Sequence, residues 1–251
     1  MKITQFTVLG ERCSGTNYLE QLISHNFDIK YTHQYGHKHF FCFNTYNNSD
    51  HVLFIGIVRN PVYWINSFSK ELYHVPPVNH NVITFLFNEF YSIHDEYSIS
   101  PNKHLCITSD YKLNKYTLNK QDLNYKTNGK YENIFELRKV KNEYLMDVMP
   151  NKVKYYTLIN YEDLLYNMNE IMDKIQQTFL LEKKFPFYKN IKNYKRSNNH
   201  IFHAPRQITM APFIVNIIWK KLDEEQEKKL GYFKGNNNEL FKQKSRFSNK
   251  I

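Results

Sequence analysis

An α/β sandwich of three layers around a mainly parallel central sheet is the fold this sequence predicts, and three observations predict it. Near the N-terminus, Ile3, Phe6 and Val8 alternate as in a strand, the chain crosses Gly10, and Leu19, Leu22 and Ile23 follow at helical spacing. Val52 to Val58 is a continuous apolar run of strand length, as a central parallel strand buried on both faces requires. Strand and helix patterns then alternate along the chain, which implies parallel pairing through helical crossovers and ligand sites at the C-terminal strand ends.

The elements follow in order. After the first helix, Phe27 to Tyr31 reads as a short strand, and it leads into a histidine-rich stretch with His33, Gly36, His37, Lys38 and His39. The buried run ends in Arg59-Asn60-Pro61, and proline suits a helix's first turn, so a helix is expected through Trp64, Ile65, Phe68 and Leu72. Phe85 to Tyr91 reads as helical, and the asparagine-rich stretch from Tyr111 to Asn128 as a mobile insert or lid. Tyr131 to Met149 carries Ile134, Leu137, Val140, Leu145 and Val148 as an amphipathic helix that Pro150 stops. Val153 to Ile159 is a further strand, and Tyr161 opens a helix through Ile171 and Ile175. A basic segment, Lys189 to Arg206, precedes an apolar stretch, Phe213 to Leu222, and a charged helix, Asp223 to Lys229, closed by Gly231. One domain over residues 1–235 is expected, with 236–251 a polar, disordered tail.

Composition narrows the partners. At 251 residues the chain is long enough to bury a core without disulfides. Its charge of +10 and isoelectric point near 9.2 favour an anionic partner, which nucleic acid, a nucleotide or a sulfated glycan would each satisfy. Cys13, Cys42 and Cys106 are far apart without a CxxC pair, so neither a disulfide framework nor a zinc site is indicated and a reducing compartment is expected. No apolar run is long enough to span a bilayer, and a soluble, cytoplasmic protein is the expectation. Heavy use of Asn, Lys, Ile and Tyr with few Gly and Ala points to an AT-rich genome such as that of a large DNA virus, in which case the location is the host cytoplasm, or of a parasite.

Two stretches carry anion chemistry. In Glu11-Arg12-Cys13-Ser14-Gly15-Thr16-Asn17 the turn aims backbone N–H groups at the front of a helix N-terminus, where the helix dipole favours phosphate or sulfate. Gly15 allows close approach, Ser14, Thr16 and Asn17 add donors, and Arg12 adds a full charge. An ordinary helix start fits too, since Asn17 with Glu20 makes a capping box. Arg59 and Ser67 form the second stretch: both reach one phosphate if the helix turns Ser67 back toward its own start, or else Arg59 ties down a loop and Ser67 lies on a solvated face. No lysine follows Gly15, so a Walker-type NTPase loop is a poor fit.

Together with Trp64 and Tyr161-Glu162-Asp163-Leu164-Leu165, these stretches resemble the P-loop-like sulfotransferase family, over most of residues 1–235. Leu230-Gly231-Tyr232 is similar to the family's C-terminal part. The resemblance implies a P-loop-like sulfotransferase architecture and an enzyme that moves a sulfuryl group from 3′-phosphoadenosine 5′-phosphosulfate (PAPS) to a hydroxyl or amine by in-line displacement, releasing PAP without a metal. It implies that Arg12, Cys13, Ser14, Gly15, Thr16 and Asn17 hold the 5′-phosphosulfate. Arg59 and Ser67 would hold the 3′-phosphate, with Arg206 as a late basic cover. Many members carry Lys or Arg where this chain has Cys13, and Arg12 is expected to supply that charge instead. Cys13 itself is expected to be a small loop residue, since sulfuryl transfer in this family needs no covalent enzyme intermediate.

Transfer needs a base on the acceptor oxygen and cations on the leaving phosphate. Histidine suits the first job, and the family's base precedes the 3′-phosphate arginine, which points to His39 or His37, with Lys38 and Arg12 as charge stabilisers. A plain polar loop is the other reading of these histidines. Arg138 and Lys141 share a helix face and could touch an anion or simply be solvated. Two further functions stay open: a nucleotide-binding relative without turnover, and a basic nucleic-acid-binding protein. The acceptor, whether glycan, small molecule or protein, is not encoded in any motif.

Overall fold

The structure, a computed structural model, describes residues 2–94, 118–191 and 208–235 and the backbone of 248–250. Arg206, Cys106, His104, His200, His203 and most of the Lys189 to Arg206 segment lie outside the described residues.

The chain runs β1 (Gln5–Leu9), α1 (Thr16–Asn26), β2 (Lys30–Tyr31), β3 (Val52–Val58), α2 (Pro61–Phe68), α3 (Val82–Phe87), α4 (Ile134–Glu143), α5 (Met149–Lys152), β4 (Tyr155–Asn160), α6 (Tyr161–Tyr166), α7 (Met168–Phe179), α8 (Pro212–Lys221), α9 (Glu224–Lys229) and β5 (Ser248–Lys250). The sheet order is β2-β1-β3-β4-β5. The first four strands are parallel and β5 is antiparallel to β4.

β3 alternates its side chains between two cores, as strand geometry demands. Leu53, Ile55 and Ile57 face a cluster with Leu19, Leu22 and Ile175 from α1 and α7. Val52, Phe54 and Val58 face a second cluster with Tyr144, Leu145 and Tyr232. Every residue of β3 is therefore buried, which is why its sequence is apolar without alternation. A third cluster joins α2, α3, α4 and α8 through Trp64, Phe68, Phe85, Leu137 and Ile218.

From β1 the chain crosses outward to β2, whereas β3 leads the opposite way to β4. The C-terminal ends of β1 and β3 thus flank a topological switch point, where open parallel sheets place their ligands.

Several expectations are corrected. Of Phe27 to Tyr31, only Lys30–Tyr31 is strand. The helix after Pro61 stops at Phe68, short of Leu72, and the next ends at Phe87, because Phe90 instead pairs in an antiparallel bridge with Tyr131. Pro150 does not stop a helix. A π-helical turn, Tyr144–Val148, resets the hydrogen-bond ladder, and Pro150 falls in the first turn of α5, where its missing N–H costs nothing. The helix opened by Tyr161 is two helices, broken at Asn167.

Residues 118–128, assigned by composition to a lid, are anchored by the buried Asn119, Asp122 and Asn124, while Lys120 and 126–128 are exposed. They include a 3₁₀ turn, Lys120–Asp122, whose Asp122 is buried among charged partners. Ser248–Lys250, assigned to a disordered tail, pairs with β4.

Candidate functional site at the β1 and β3 strand ends

The loop after β1 is shaped by positions that tolerate no ordinary side chain. A Cβ on Gly10 would stand 2.6 Å from the Ile57 carbonyl oxygen, so β1 closes against β3 only because Gly10 lacks one. Gly15 has φ +94°, and a Cβ there would meet the Tyr161 ring at 2.2 Å. Between them the Ser14 N–H donates to the Glu11 carbonyl (3.1 Å), and Cys13 is left-handed at φ 63°. Gly15 is the N-cap of α1 without a side-chain cap, and the first-turn N–H groups of the helix have no partner within it.

The capping box is not formed. The Asn17 side-chain oxygen and Glu20 Oε2 both accept from Lys38 Nζ, the latter at 2.9 Å, so a cation stands at the first turn of α1.

The strand end of β3 is tied to this loop. Arg59 Nη1 donates to the Cys13 carbonyl at 2.9 Å, and its guanidinium lies 4.9 Å from the centre of the Tyr161 ring. Arg59 is buried, and its Nε has no hydrogen-bond partner among the described residues. Asn60 caps α2, accepting from the Val62 N–H (3.0 Å), while its own N–H donates to Glu162 Oε1 (3.0 Å). Ser67 sits half-buried in the last turn of α2 and makes no side-chain hydrogen bond to Arg59 or to the loop among the described residues.

Arg12 has another occupation. Its Nε donates to Glu11 Oε1 (2.8 Å), its Nη1 to the Tyr73 carbonyl (3.1 Å) and its Nη2 to Asp122 Oδ2 (3.1 Å), over the face of Phe68. Lys141 completes this cluster, donating to Glu11, to Asp122 and to the His39 carbonyl, the last at 2.8 Å. Burial works against the Glu11 carboxylate, but Lys141 and Arg12 outweigh it and hold its pKa at about 2. Both cations are in turn raised: burial opposes their charge, and the carboxylates more than compensate. Lys141 is therefore neither solvated nor open to an external anion. Arg138 is also paired, binding Glu227 through Nε and Nη2 and donating from Nη2 to the Arg59 carbonyl (3.0 Å).

The histidines are ordered differently from each other. His39 Nδ1 lies 2.7 Å from the Gly10 carbonyl oxygen, which can only accept, so Nδ1 carries the proton and Nε2 keeps its lone pair. Burial, with His37 and Lys38 nearby, lowers the His39 pKa well below that of an ordinary histidine and keeps the ring neutral. His37 stacks on Phe40 and accepts from the His39 N–H through Nδ1 (3.2 Å), so it supports the loop. The Cys13 thiol is pushed up to about 12 by burial and is no nucleophile at neutral pH.

Among the described residues, no group of three or more His, Cys, Asp or Glu is placed to hold a metal ion, and no helix is long and apolar enough to cross a membrane. Sequence reasoning quoted Glu11 and Tyr161 within the motifs but gave them no role at the site, missed Asp122, and did not see Lys141 as buried. Lys141 did leave a signal, since it shares α4 with the core residues Leu137 and Val140. Asp122 left none inside its polar surroundings. Comparison with protein-family models, with curated proteins and with solved structures finds no match to this chain.

Proposed function

We propose that this chain is a sulfotransferase that takes a sulfuryl group from PAPS and passes it to a hydroxyl or amine. One observation carries the reading: a buried arginine, Arg59, whose Nε has no hydrogen-bond partner among the described residues, is bonded to a glycine-containing loop in front of a helix N-terminus at the sheet's switch point. Ser14, Gly15, Thr16 and Asn17 hold the 5′-phosphosulfate through the loop and the first turn of α1. Arg59 binds the 3′-phosphate, with Ser67 as its hydroxyl partner. Lys38, at Asn17, supplies the cation beside the loop that the buried Arg12 does not. His39, neutral and held by Gly10, takes the acceptor proton on Nε2.

Calorimetry with adenosine 3′,5′-bisphosphate (PAP) tests the donor site. Binding that falls by about a hundredfold in Arg59→Ala and by less in Ser67→Ala supports the reading. No binding to folded wild-type protein sinks it, and salt-dependent binding of DNA or RNA then becomes the function to pursue.

The burial of Arg12 favours a second reading, a nucleotide-binding relative without turnover. His39→Gln separates the two. In an enzyme it removes turnover and spares PAP binding, whereas in a silent relative the wild type already binds PAP and transfers nothing.

A further inference from the structure

Glu11, Arg12, Asp122 and Lys141 are all buried, at 7%, 4%, 1% and 2% exposure, and their charges balance. They come from the loop after β1, the 3₁₀ turn and α4. Such a cluster is weak evidence for stability, since apolar residues of similar volume often serve a core as well. A reason to keep it lies in the third donor of Lys141. An ammonium has three N–H groups, and here two go to Glu11 and Asp122 while the third goes to the His39 carbonyl.

The same residue is held from the other side. The Gly10 N–H donates to the Lys38 carbonyl at 3.0 Å, and the His39 ring donates back to the Gly10 carbonyl at 2.7 Å. Asp122 is itself braced by the Ser92 hydroxyl. His39 is thereby clamped by ring and by carbonyl between the end of β1 and α4.

We propose that Lys141 is the positioning residue for His39, its buried ammonium fixing the His39 backbone so that Nε2 stays presented as a proton acceptor. For turnover this rests on the sulfotransferase reading; the coupling of Lys141 to His39 does not. Among the described residues, the charged and titratable groups acting on His39 are His37 and Lys38 on its own loop, Arg12 after β1 and, at its carbonyl, Lys141 on α4; Glu11 and Asp122 reach it only through Lys141, and His74 lies against Phe40.

The test is the proton titration of the His39 ring in the full chain, followed by NMR and assigned by the resonance lost in His39→Gln. Lys141→Gln removes a positive charge, uncovers two carboxylates and loosens the burial of His39. All three raise the His39 midpoint, by about one unit or more. Lys141→Arg keeps the wild-type midpoint. In turnover, the acid limb of the pH profile moves up with the midpoint in Lys141→Gln, kcat at neutral pH falls by about tenfold or more, and PAP affinity changes by less than about threefold.

A His39 titration in Lys141→Gln that coincides with wild type overturns the proposal. If that variant does not fold, Lys141→Met combined with Asp122→Asn keeps the charges balanced; a raised midpoint there supports the proposal and an unchanged one overturns it. Wild-type protein that binds no PAP removes the sulfotransferase reading alone, because the titration still decides whether Lys141 governs His39.

Discussion

Arg12 and Arg59 begin alike. Each follows the end of one of two adjacent parallel strands, each is buried, and each is assigned by the sequence to anion binding. Their surroundings separate them. Arg12 gives its donors to Glu11, Tyr73 and Asp122 and is packed over Phe68, whereas among the described residues Arg59 donates to the Cys13 carbonyl alone, leans on Tyr161 and leaves Nε without a partner. A guanidinium whose donors are taken by carboxylates is part of the scaffold. One held in place with a donor unpaired among the described residues is the candidate for a ligand, because a buried polar group without a partner costs free energy until something pairs with it.

The largest difference should appear in stability. Arg12→Ala leaves Glu11 and Asp122 to share Lys141 alone, and urea unfolding should show a loss of about 3–5 kcal/mol. Arg59→Ala should lose less than about 1 kcal/mol, since it removes one hydrogen bond together with an unsatisfied donor. Binding should reverse the order: Arg59→Ala weakens PAP by about a hundredfold, or about 2.7 kcal/mol, if its guanidinium meets the 3′-phosphate. Equal stability losses in the two variants would erase the distinction between them.

Acid sharpens the same contrast. The folded Glu11 carboxyl is held below its ordinary 4.5 by Lys141 and Arg12, so the stability it contributes is present above pH 4.5 and is lost as pH falls through its folded value, while Asp122, raised by burial, works the other way. His39 acts earlier. Its folded value lies below the ordinary 6.5, so the unfolded chain takes the proton first and stability already begins to fall below pH 6.5. Stability followed against pH should keep the Glu11 window in Arg59→Ala and lose much of it in Arg12→Ala.

The smallest effect concerns the loop between the two arginines. Cys13 is left-handed at φ 63°, so Cys13→Gly should leave stability unchanged or raise it by up to about 1 kcal/mol in thermal unfolding. With its pKa near 12, the wild-type thiol should resist alkylation at neutral pH in the folded protein.

The legibility of this chain tracks how local each cause is. Val52 to Val58 was legible as a strand because burial on both faces writes itself as an unbroken apolar run, and the strand is found over the same residues. The glycine-bearing loop and the Arg59-Asn60-Pro61 corner were legible because turns and helix starts need particular residue types. Pro150 was misread because a helix that shifts to π-helical bonding moves the proline to a harmless position, and nothing in the proline announces the shift. Residues 118–128 were misread because polar composition resembles a solvated loop, while the partners that make Asp122 buriable lie far away in sequence at Arg12 and Lys141.

The sequence by itself determined that strands alternate with helices, that one strand is central, and that a close backbone turn precedes the first long helix. Spacing and residue type are local properties, and backbone sterics and burial act on them directly. Only the tertiary structure decided which charges are spent on each other and which keep an unpaired donor among the described residues. A salt bridge depends on distance and desolvation, and Glu11, Arg12, Asp122 and Lys141 acquire both only once the sheet and its covering helices have brought them together.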